Sequence, residues 1–366
     1  MTNRSDMRLI ITIMLFLLAL SSCVTAKNEN VQIRRPGYSL TFPDGRYRIY
    51  TDTRVAADEH GQFQLMKGAI AAEKPLTKNL KVKTELLGNA QWGGCNMLLL
   101  TVNCTIPLKC RVWFDYKFAK GNWKFDRKGH IVAQKRDRLV YGVFIPHSTY
   151  NETHSVDITM ELSSEKYVII RYKDTIPISP TEWDSQTVTF GDAKSEELNT
   201  PSGRNIAAER RKRQRIWNEN SNHRYFLSGM RYPVDDTRDL TSEFGYRRNW
   251  VYTKGRSSTD VHTGVDYANK TGTPIIASCA GQVRYSEYAA YLGNAVFIDH
   301  GMGLFSIYMH NSNLIAKEGD IVDKGDIIAE MGMTGAATGP HCHWETRIYG
   351  MPVDPRSLFF LNDLKF

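Results

Sequence analysis

The chain has 366 residues, of which 42% are hydrophobic and 11% aromatic. That length exceeds what one hydrophobic core usually organises, so we expect two domains, and the apolar content excludes a mainly disordered chain. The formal net charge is +8, from 47 Lys and Arg against 39 Asp and Glu; such a charge indicates nucleic-acid binding only where it is spread over one face.

The first 22 residues resemble an export signal. Arg4 and Arg8 lie ahead of the apolar stretch Leu9–Leu20, which is too short to span a bilayer because a spanning helix needs about 20 residues. A short basic start, an apolar stretch of this size and small residues after it are typical of a secretory signal peptide. Residues 1–22 are therefore predicted to be a signal peptide.

The end of this segment predicts a lipid anchor. Leu20-Ser21-Ser22-Cys23 resembles a bacterial lipobox, so Cys23 is the predicted lipidation site and membrane attachment would be through its acyl chains. Ordinary cleavage after Ala26 is the alternative, since Val24-Thr25-Ala26 has small residues in suitable places. Either way we expect the mature chain outside the cytoplasm, in the bacterial cell envelope, as a lipoprotein facing the periplasm.

Residues 23–205 are predicted to form a β-rich N-terminal domain and a linker. Cys95–Val102 has the pattern of a buried strand, Ser155–Met160 alternates as a half-buried strand should, and Tyr167–Tyr172 is rich in β-branched and aromatic residues. Several strands at this spacing predict a β-sandwich-like domain. Polar residues dominate from Gly191 to Arg204, where we place the linker.

The cysteines of this region leave a disulfide open. A pair among Cys95, Cys104 and Cys110 could close a small loop outside the cytoplasm, and the sequence does not say which pair. None of the cysteine spacings resembles a zinc site built from Cys.

Residues 206–225 are predicted to be a basic, helical connector. Glu209–Arg215 contains five basic residues and one acidic residue. A solvated helix with charge on its exposed faces is the simpler interpretation, and contact with anionic lipid or cell-wall polymer is the alternative. Because an exported protein rarely meets nucleic acid, no nucleic-acid partner is expected.

Residues 226–366 contain motifs with metal-ligand spacing. Strand alternation places His262 and Asp266 on one face of a strand-turn segment, and it places His341 and His343 on one face of a later strand with Cys342 directed into the core. Two imidazoles and a carboxylate supply the three protein ligands of a catalytic zinc, which keeps a further position open for water.

The stretch from about residue 226 to 356 resembles the lysostaphin-type, LytM-like zinc metallopeptidases, which cleave peptidoglycan peptides. The resemblance runs through Ser242-Glu243-Phe244-Gly245-Tyr246-Arg247, His262-Thr263-Gly264-Val265-Asp266, Tyr308-Met309-His310 and Gly339-Pro340-His341-Cys342-His343-Trp344-Glu345. Several separate motifs in the family's order make this a specific signal.

The resemblance implies a role for each matching residue. His262, Asp266 and His343 match the family's zinc ligands, for one Zn²⁺ per catalytic domain, and His310 and His341 match its two catalytic histidines. Asn294 and Tyr308 align near the family's substrate groove, although packing explains each of them equally well. The fold expected is mainly β, with the sandwich-like N-terminal domain followed by a C-terminal antiparallel two-sheet peptidase domain.

The function that the resemblance implies is zinc-dependent hydrolysis of peptide bonds in peptidoglycan stems or cross-links, for cell-wall remodelling or lysis. The expected partner is a peptidoglycan peptide. The alternative is a non-catalytic envelope protein that binds the wall or activates another wall hydrolase.

Overall fold

The computed structural model describes residues 62–65, 82–103, 107–118, 121–135, 138–149, 153–163, 168–199, 206–219, 221–255 and 257–365. The predicted signal peptide and Cys23 lie outside these residues. Two compact units can be distinguished. The first holds the described residues up to Leu86 with Leu98–Val143 and Ser155–Pro177, and the second holds Leu87–Met97, Phe144–His154 and Ile178–Phe366.

The first eight strands form one sheet, in the order β1-β8-β7-β4-β5-β6-β3-β2. They are β1 (Gln62–Leu65), β2 (Val82–Gly88), β3 (Cys95–Val102), β4 (Lys109–Phe118), β5 (Asn122–Lys135), β6 (Arg138–Pro146), β7 (Thr153–Ser163) and β8 (Val168–Pro177). Burial alternates along β4 and β7, so that every second side chain faces a core. The β-rich character predicted for this region is confirmed.

The long strand β5 changes partner at its middle. Residues 122–129 pair with β4, whereas residues from His130 onward pair with β6. A strand that leaves one partner and continues along another is how sandwich-like β domains turn their corners. The eight strands therefore form a continuous hydrogen-bonded path instead of two separately bonded sheets.

The second unit contains two helices and the remaining strands. They are β9 (Ser185–Thr189), α1 (Asp192–Asn199), α2 (Ile206–Trp217), β10 (Leu240–Ser242), β11 (Arg247–Val251), β12 (Ser257–Val261), β13 (Gly264–Ala268), β14 (Pro274–Ile276), β15 (Gly281–Ala289), β16 (Gly293–Gly301), β17 (Leu304–Asn311), β18 (Asn313–Leu314), β19 (Ile321–Val322), β20 (Ile327–Glu330), β21 (His341–Ile348) and β22 (Met351–Val353). Short 3₁₀ helices cover Tyr225–Ser228, Thr253–Gly255 and Pro355–Asp363.

The main sheet of this unit is antiparallel and runs β10-β13-β21-β17-β16-β15-β19, with β22 beside β21. A second antiparallel sheet runs β14-β20-β18. These two sheets agree with the predicted two-sheet architecture. A third sheet, β12-β11-β9, includes a parallel pair between β9 and β11, which the expectation of purely antiparallel sheets did not include.

The second compact unit includes the whole segment from Ile178 onward, and so it contains residues on both sides of the predicted boundaries at residues 205 and 226. Within the predicted linker, α1 occupies Asp192–Asn199. Just before it, the Phe190 ring stacks on Trp250 with centroids 5.5 Å apart, and the Phe190 side chain is buried. Burial of apolar residues in an otherwise polar segment explains why this stretch is ordered within the unit.

The predicted helix of the basic segment is present as α2, but it is more than a solvated connector. Ile216 is buried, and Trp217 stacks on Phe297 of the main sheet with centroids 5.7 Å apart. Arg213 lies 3.8 Å from Glu209, so part of the positive charge is paired within the helix. One side of α2 therefore contributes to the core of the second unit.

Cys95 and Cys110 are free, buried thiols, so the disulfide left open by the sequence does not form between these two; Cys104 lies outside the described residues. In the part of the chain that the structure describes, no helix combines the length and the apolar character needed to cross a membrane.

Candidate metal centre

Two adjacent strands and the turn before one of them bring the three predicted ligands together. Asp266 of β13 is the register partner of His343 of β21, and His262 stands just ahead of β13. Gly264 makes the close approach of these strands possible. A Cβ added there would lie 2.5 Å from the Trp344 carbonyl oxygen and 2.7 Å from His343 Nε2, so only glycine fits between the two strands.

Three electron-pair donors converge at this point. Asp266 Oδ1 lies 2.8 Å from His343 Nδ1 and 3.1 Å from His262 Nε2, and the two imidazole nitrogens are 3.1 Å apart. All three side chains are buried. The structure thus brings together the three residues that the sequence predicted as ligands.

The other polar atom of each ligand is held by a separate partner. His262 Nδ1 lies 2.7 Å from the Glu243 carbonyl oxygen, which only accepts, so Nδ1 carries the proton and Nε2 presents its lone pair to the cluster. His343 Nε2 faces Glu345 Oε2 at 3.4 Å. Arg248 donates to Asp266 Oδ2 at 2.5 Å. Contacts of this kind, made by the ligand atoms that point away from the cluster, orient metal-binding side chains.

This donor set fits a divalent metal, and zinc in particular. In a tetrahedral zinc site with bonds of about 2.0–2.1 Å, ligand atoms lie about 3.3 Å from one another, close to the spacing seen here. Two imidazoles and one carboxylate also match the ligand types of catalytic zinc sites. His262, Asp266 and His343 are therefore the residues that would hold the ion.

The electrostatics of the cluster also favour a cation. Burial disfavours the charged form of Asp266, but His262 and His343 hold its pKa well below the usual range. Burial alone would lower the pKa of His343, yet contacts with Asp266 and Glu345 raise it to about 9. Positive charge is thus strongly stabilised at the point where the three donors meet.

The two predicted catalytic histidines lie beside this cluster. The rings of His310 and His341 have centroids 4.9 Å apart, and His341 Nε2 lies 3.8 Å from Asp266 Oδ1. His341 Nδ1 faces the Gly339 carbonyl oxygen at 2.8 Å, and His310 Nδ1 faces that of Thr334 at 2.9 Å. Because a carbonyl only accepts, Nδ1 of each ring is the donor, and Nε2 is the ring nitrogen that remains for proton transfer.

The backbone of His310 departs from the strand geometry expected from the sequence. Its φ is 65°, in a region that non-glycine residues rarely occupy. In a regular strand Tyr308 and His310 would share one side, and this conformation breaks the alternation at the end of β17. Burial, with His341 and His343 nearby, lowers the pKa of His310 well below its usual range, so its imidazole is neutral.

Tyr308 and Asn294 are placed as packing residues. Tyr308 is fully buried, and its hydroxyl bonds the backbone N–H of Ser278 at 2.7 Å; a contact between Tyr308 and substrate stays a prediction. Asn294 donates to the carbonyl oxygens of Asn311 and Ser312 at 3.1 and 3.2 Å, so that its side chain links β16 to the segment after β17. Cys342 is fully buried, as predicted for a core residue.

Arg248 and Glu345 complete the site, and the sequence assigned no role to either. Glu345 accepts from Thr263 Oγ1 at 2.7 Å and pairs with Arg347. Burial opposes its ionisation, but Arg347 and His343 lower its pKa to about 2, so it is a carboxylate. A signal for Glu345 existed, because it stands two residues after His343 on the same strand and so shares its face.

A β-sheet domain that gathers two histidines and an aspartate, with two further histidines beside them, defines a metal-dependent hydrolase domain. Residues 260–355 match the model of peptidase family M23. The family resemblance seen in the sequence is thus confirmed.

The chain is similar to several known proteins. It is 41% identical over 126 residues to the DD-carboxypeptidase/endopeptidase Mpg of Neisseria meningitidis, and 38% identical over 125 residues to the peptidoglycan DD-endopeptidase ShyA of Vibrio cholerae. Each match covers 34% of this chain and 28% of the relative, so the chain spans less than a third of the length of these relatives. The catalytic domain of lysostaphin from Staphylococcus simulans is 27% identical, with a TM-score of 0.29, over 39% of this chain and 99% of that one.

Proposed function

We propose that this protein is a zinc metalloendopeptidase that hydrolyses peptide bonds in the stems or cross-links of bacterial peptidoglycan. The observation that carries the proposal is the convergence of His262, Asp266 and His343. One donor atom of each lies within 3.1 Å of the other two, and the other polar atom of each is held by a separate partner. The proposal includes one Zn²⁺ for the domain.

The chemistry divides between the ion and the two adjacent histidines. Bound zinc would supply Lewis acidity and a lowered pKa for water. In both His310 and His341, Nδ1 donates to a carbonyl oxygen, so Nε2 is the nitrogen that remains for proton transfer. One of them removes a proton from the water that attacks the scissile carbonyl. The other stabilises the tetrahedral oxyanion or protonates the leaving amine.

The substrate class is supported by the relatives. Of the proteins that this chain resembles, one is named a DD-carboxypeptidase/endopeptidase and another a peptidoglycan DD-endopeptidase. We therefore assign a peptidoglycan peptide as substrate, in the service of wall remodelling or lysis.

The location follows from the substrate and the first residues of the chain. Peptidoglycan lies outside the cytoplasm, and the leader predicted over residues 1–22 would export the protein to the envelope. Acylation of Cys23 would then hold it on a membrane surface facing the periplasm.

The test uses the purified chain with its zinc content measured before and after chelation. Isolated sacculi should release soluble peptides, and mass spectrometry of the fragments identifies the bond cleaved. His262→Ala should lose both zinc and activity, whereas His154→Ala, which changes an exposed histidine of β7, should keep both. Zinc-loaded protein that releases no fragment from any sacculus type would instead favour a non-catalytic wall-binding protein.

A further inference from the structure

We propose that Gln186 is a positioning residue for the metal ligands, supplied by a strand that lies outside the matched peptidase segment. The inference rests on the zinc site proposed above. Gln186 belongs to β9, 74 residues before the first residue of the family match at 260. It reaches the ligands through two side chains, Arg248 and Ser242.

The backbone places Gln186 beside Arg248. β9 pairs with β11 in parallel, and Gln186 and Arg248 are register partners in that pair. Partners in register project their side chains to the same face of a sheet. The parallel pair therefore aligns Gln186 with the arginine that contacts Asp266.

Gln186 Oε1 accepts two hydrogen bonds. Ser242 Oγ donates to it at 2.8 Å, and Arg248 Nε donates to it at 3.2 Å. These two donors come from different strands, β10 and β11. One amide oxygen thus fixes the direction of two side chains together.

Both of those side chains touch a metal ligand. Arg248 donates to Asp266 Oδ2 at 2.5 Å, which leaves Oδ1 turned toward the cluster. Ser242 Oγ lies 3.2 Å from His262 Nδ1 and accepts a hydrogen bond from Arg248 at 2.9 Å. Two of the three ligands are therefore tied, through one shared set of hydrogen bonds, to Gln186.

The direction of each hydrogen bond makes the acceptor at position 186 necessary. His262 Nδ1 donates its hydrogen to the Glu243 carbonyl oxygen, and Arg248 donates to Ser242 Oγ, so neither group can accept the hydrogen of the serine hydroxyl. Gln186 Oε1 receives it. Without that acceptor, the hydrogen of Ser242 crowds the contact between Ser242 and His262. Arg248 also loses one of the hydrogen bonds that fix the plane of its guanidinium group.

Apolar packing keeps the guanidinium in place from another side. Arg248 stacks over the Trp250 ring at 5.3 Å, and Trp250 in turn stacks on Phe190, which follows β9. The segment that carries Gln186 thus supports Arg248 both by hydrogen bonding and by packing. A substitution that removes only the amide oxygen of Gln186 abolishes the hydrogen bonding and leaves the packing, so the two contributions can be measured separately.

The experiment measures zinc affinity in the full chain by competition with a chromogenic chelator. Gln186→Met keeps the volume and removes the acceptor, and it should weaken zinc binding by about 10-fold, the usual effect of losing an outer contact. Gln186→Glu keeps an acceptor oxygen and should stay close to the wild type. Thr187→Ala, at the exposed neighbouring position of β9, is the matched control and should bind zinc normally.

The outcomes separate this inference from the proposed function. A wild-type chain that binds no zinc would overturn the function and the inference together. A wild-type chain that binds zinc, with Gln186→Met equally tight, would overturn the inference alone. So would a Gln186→Met that unfolds at lower temperature without metal but keeps its zinc affinity, because that pattern is a structural role only. Equal weakening in Gln186→Glu would also refute the acceptor role.

Discussion

Gly264→Ala should separate the two strands that hold the metal ligands. The new Cβ would lie 2.5 Å from the Trp344 carbonyl oxygen, where ordinary contact begins at 3.4 Å. The opposing atom is backbone and cannot rotate away, so the strands must part by about 0.9 Å. Overpacking of this kind usually costs about 1–3 kcal/mol of stability.

The same shift acts directly on the ligands, since Asp266 and His343 are register partners two residues along these strands. A displacement of about 0.9 Å far exceeds the tolerance of about 0.2 Å in metal–ligand distances. We expect zinc affinity to fall by about 100-fold, the upper end of the effect seen when a ligand's support is lost.

The assay is a zinc competition titration together with thermal unfolding, with and without zinc. Gly191→Ala is the matched control, because a Cβ there meets no atom within 4 Å, and it should leave zinc affinity unchanged. A Gly264→Ala variant that binds zinc within about threefold of the wild type would refute the reasoning, since the strands could then not have moved apart at the ligands.

Three further predictions follow from the same geometry. His310→Ala should lower kcat by about 10²- to 10⁴-fold while zinc content stays the same, as expected for loss of a proton-transfer group; loss of zinc instead would make His310 a ligand. Glu345→Gln should weaken zinc binding by about 10-fold in the chelator assay, because His343 Nε2 loses a charged partner; unchanged affinity would contradict this. Burial lowers the pKa of His300 to about 4, below the value of about 6.5 in an unfolded chain. The folded state then binds fewer protons than the unfolded chain. The free energy of unfolding should therefore fall by about 2 kcal/mol as the pH is lowered from about 6.5 to 5. Urea unfolding at both pH values measures this, and His300→Asn should show a smaller loss between them.

The ligand set could be predicted because each of its motifs is short. His262 and Asp266 are separated by four residues, and His341 and His343 by two, so strand alternation alone places each pair on one face. Only the pairing of β13 with β21 was needed to bring the two motifs together, and the family resemblance supplied it. The buried strands of the N-terminal region were likewise visible from local pattern.

The supporting contacts could not be predicted, because they depend on pairing between distant segments. Gln186 and Arg248 are 62 residues apart, and their parallel register has no local signal in the sequence. The polar composition after Gly191 predicted a linker, whereas the burial of Phe190 and Leu198 shows that a few apolar residues anchor that segment. Position 308 was aligned with a groove, but hydrogen bonds to Ser278 and Ser306 direct its hydroxyl into the core.

The backbone of His310 is strained, and contacts with neighbouring segments stabilise it. A non-glycine residue at a φ of 65° costs about 1–3 kcal/mol unless its surroundings hold it there. Three contacts do so: its N–H donates to the Leu292 carbonyl at 2.9 Å, its carbonyl accepts from Thr334 N at 3.3 Å, and its Nδ1 donates to the Thr334 carbonyl at 2.9 Å. The carbonyl and the imidazole of His310 are therefore fixed by the same loop. A strained backbone of this kind persists only where several surrounding contacts hold it. The Thr334 loop therefore sets the direction of the His310 ring together with strand β17.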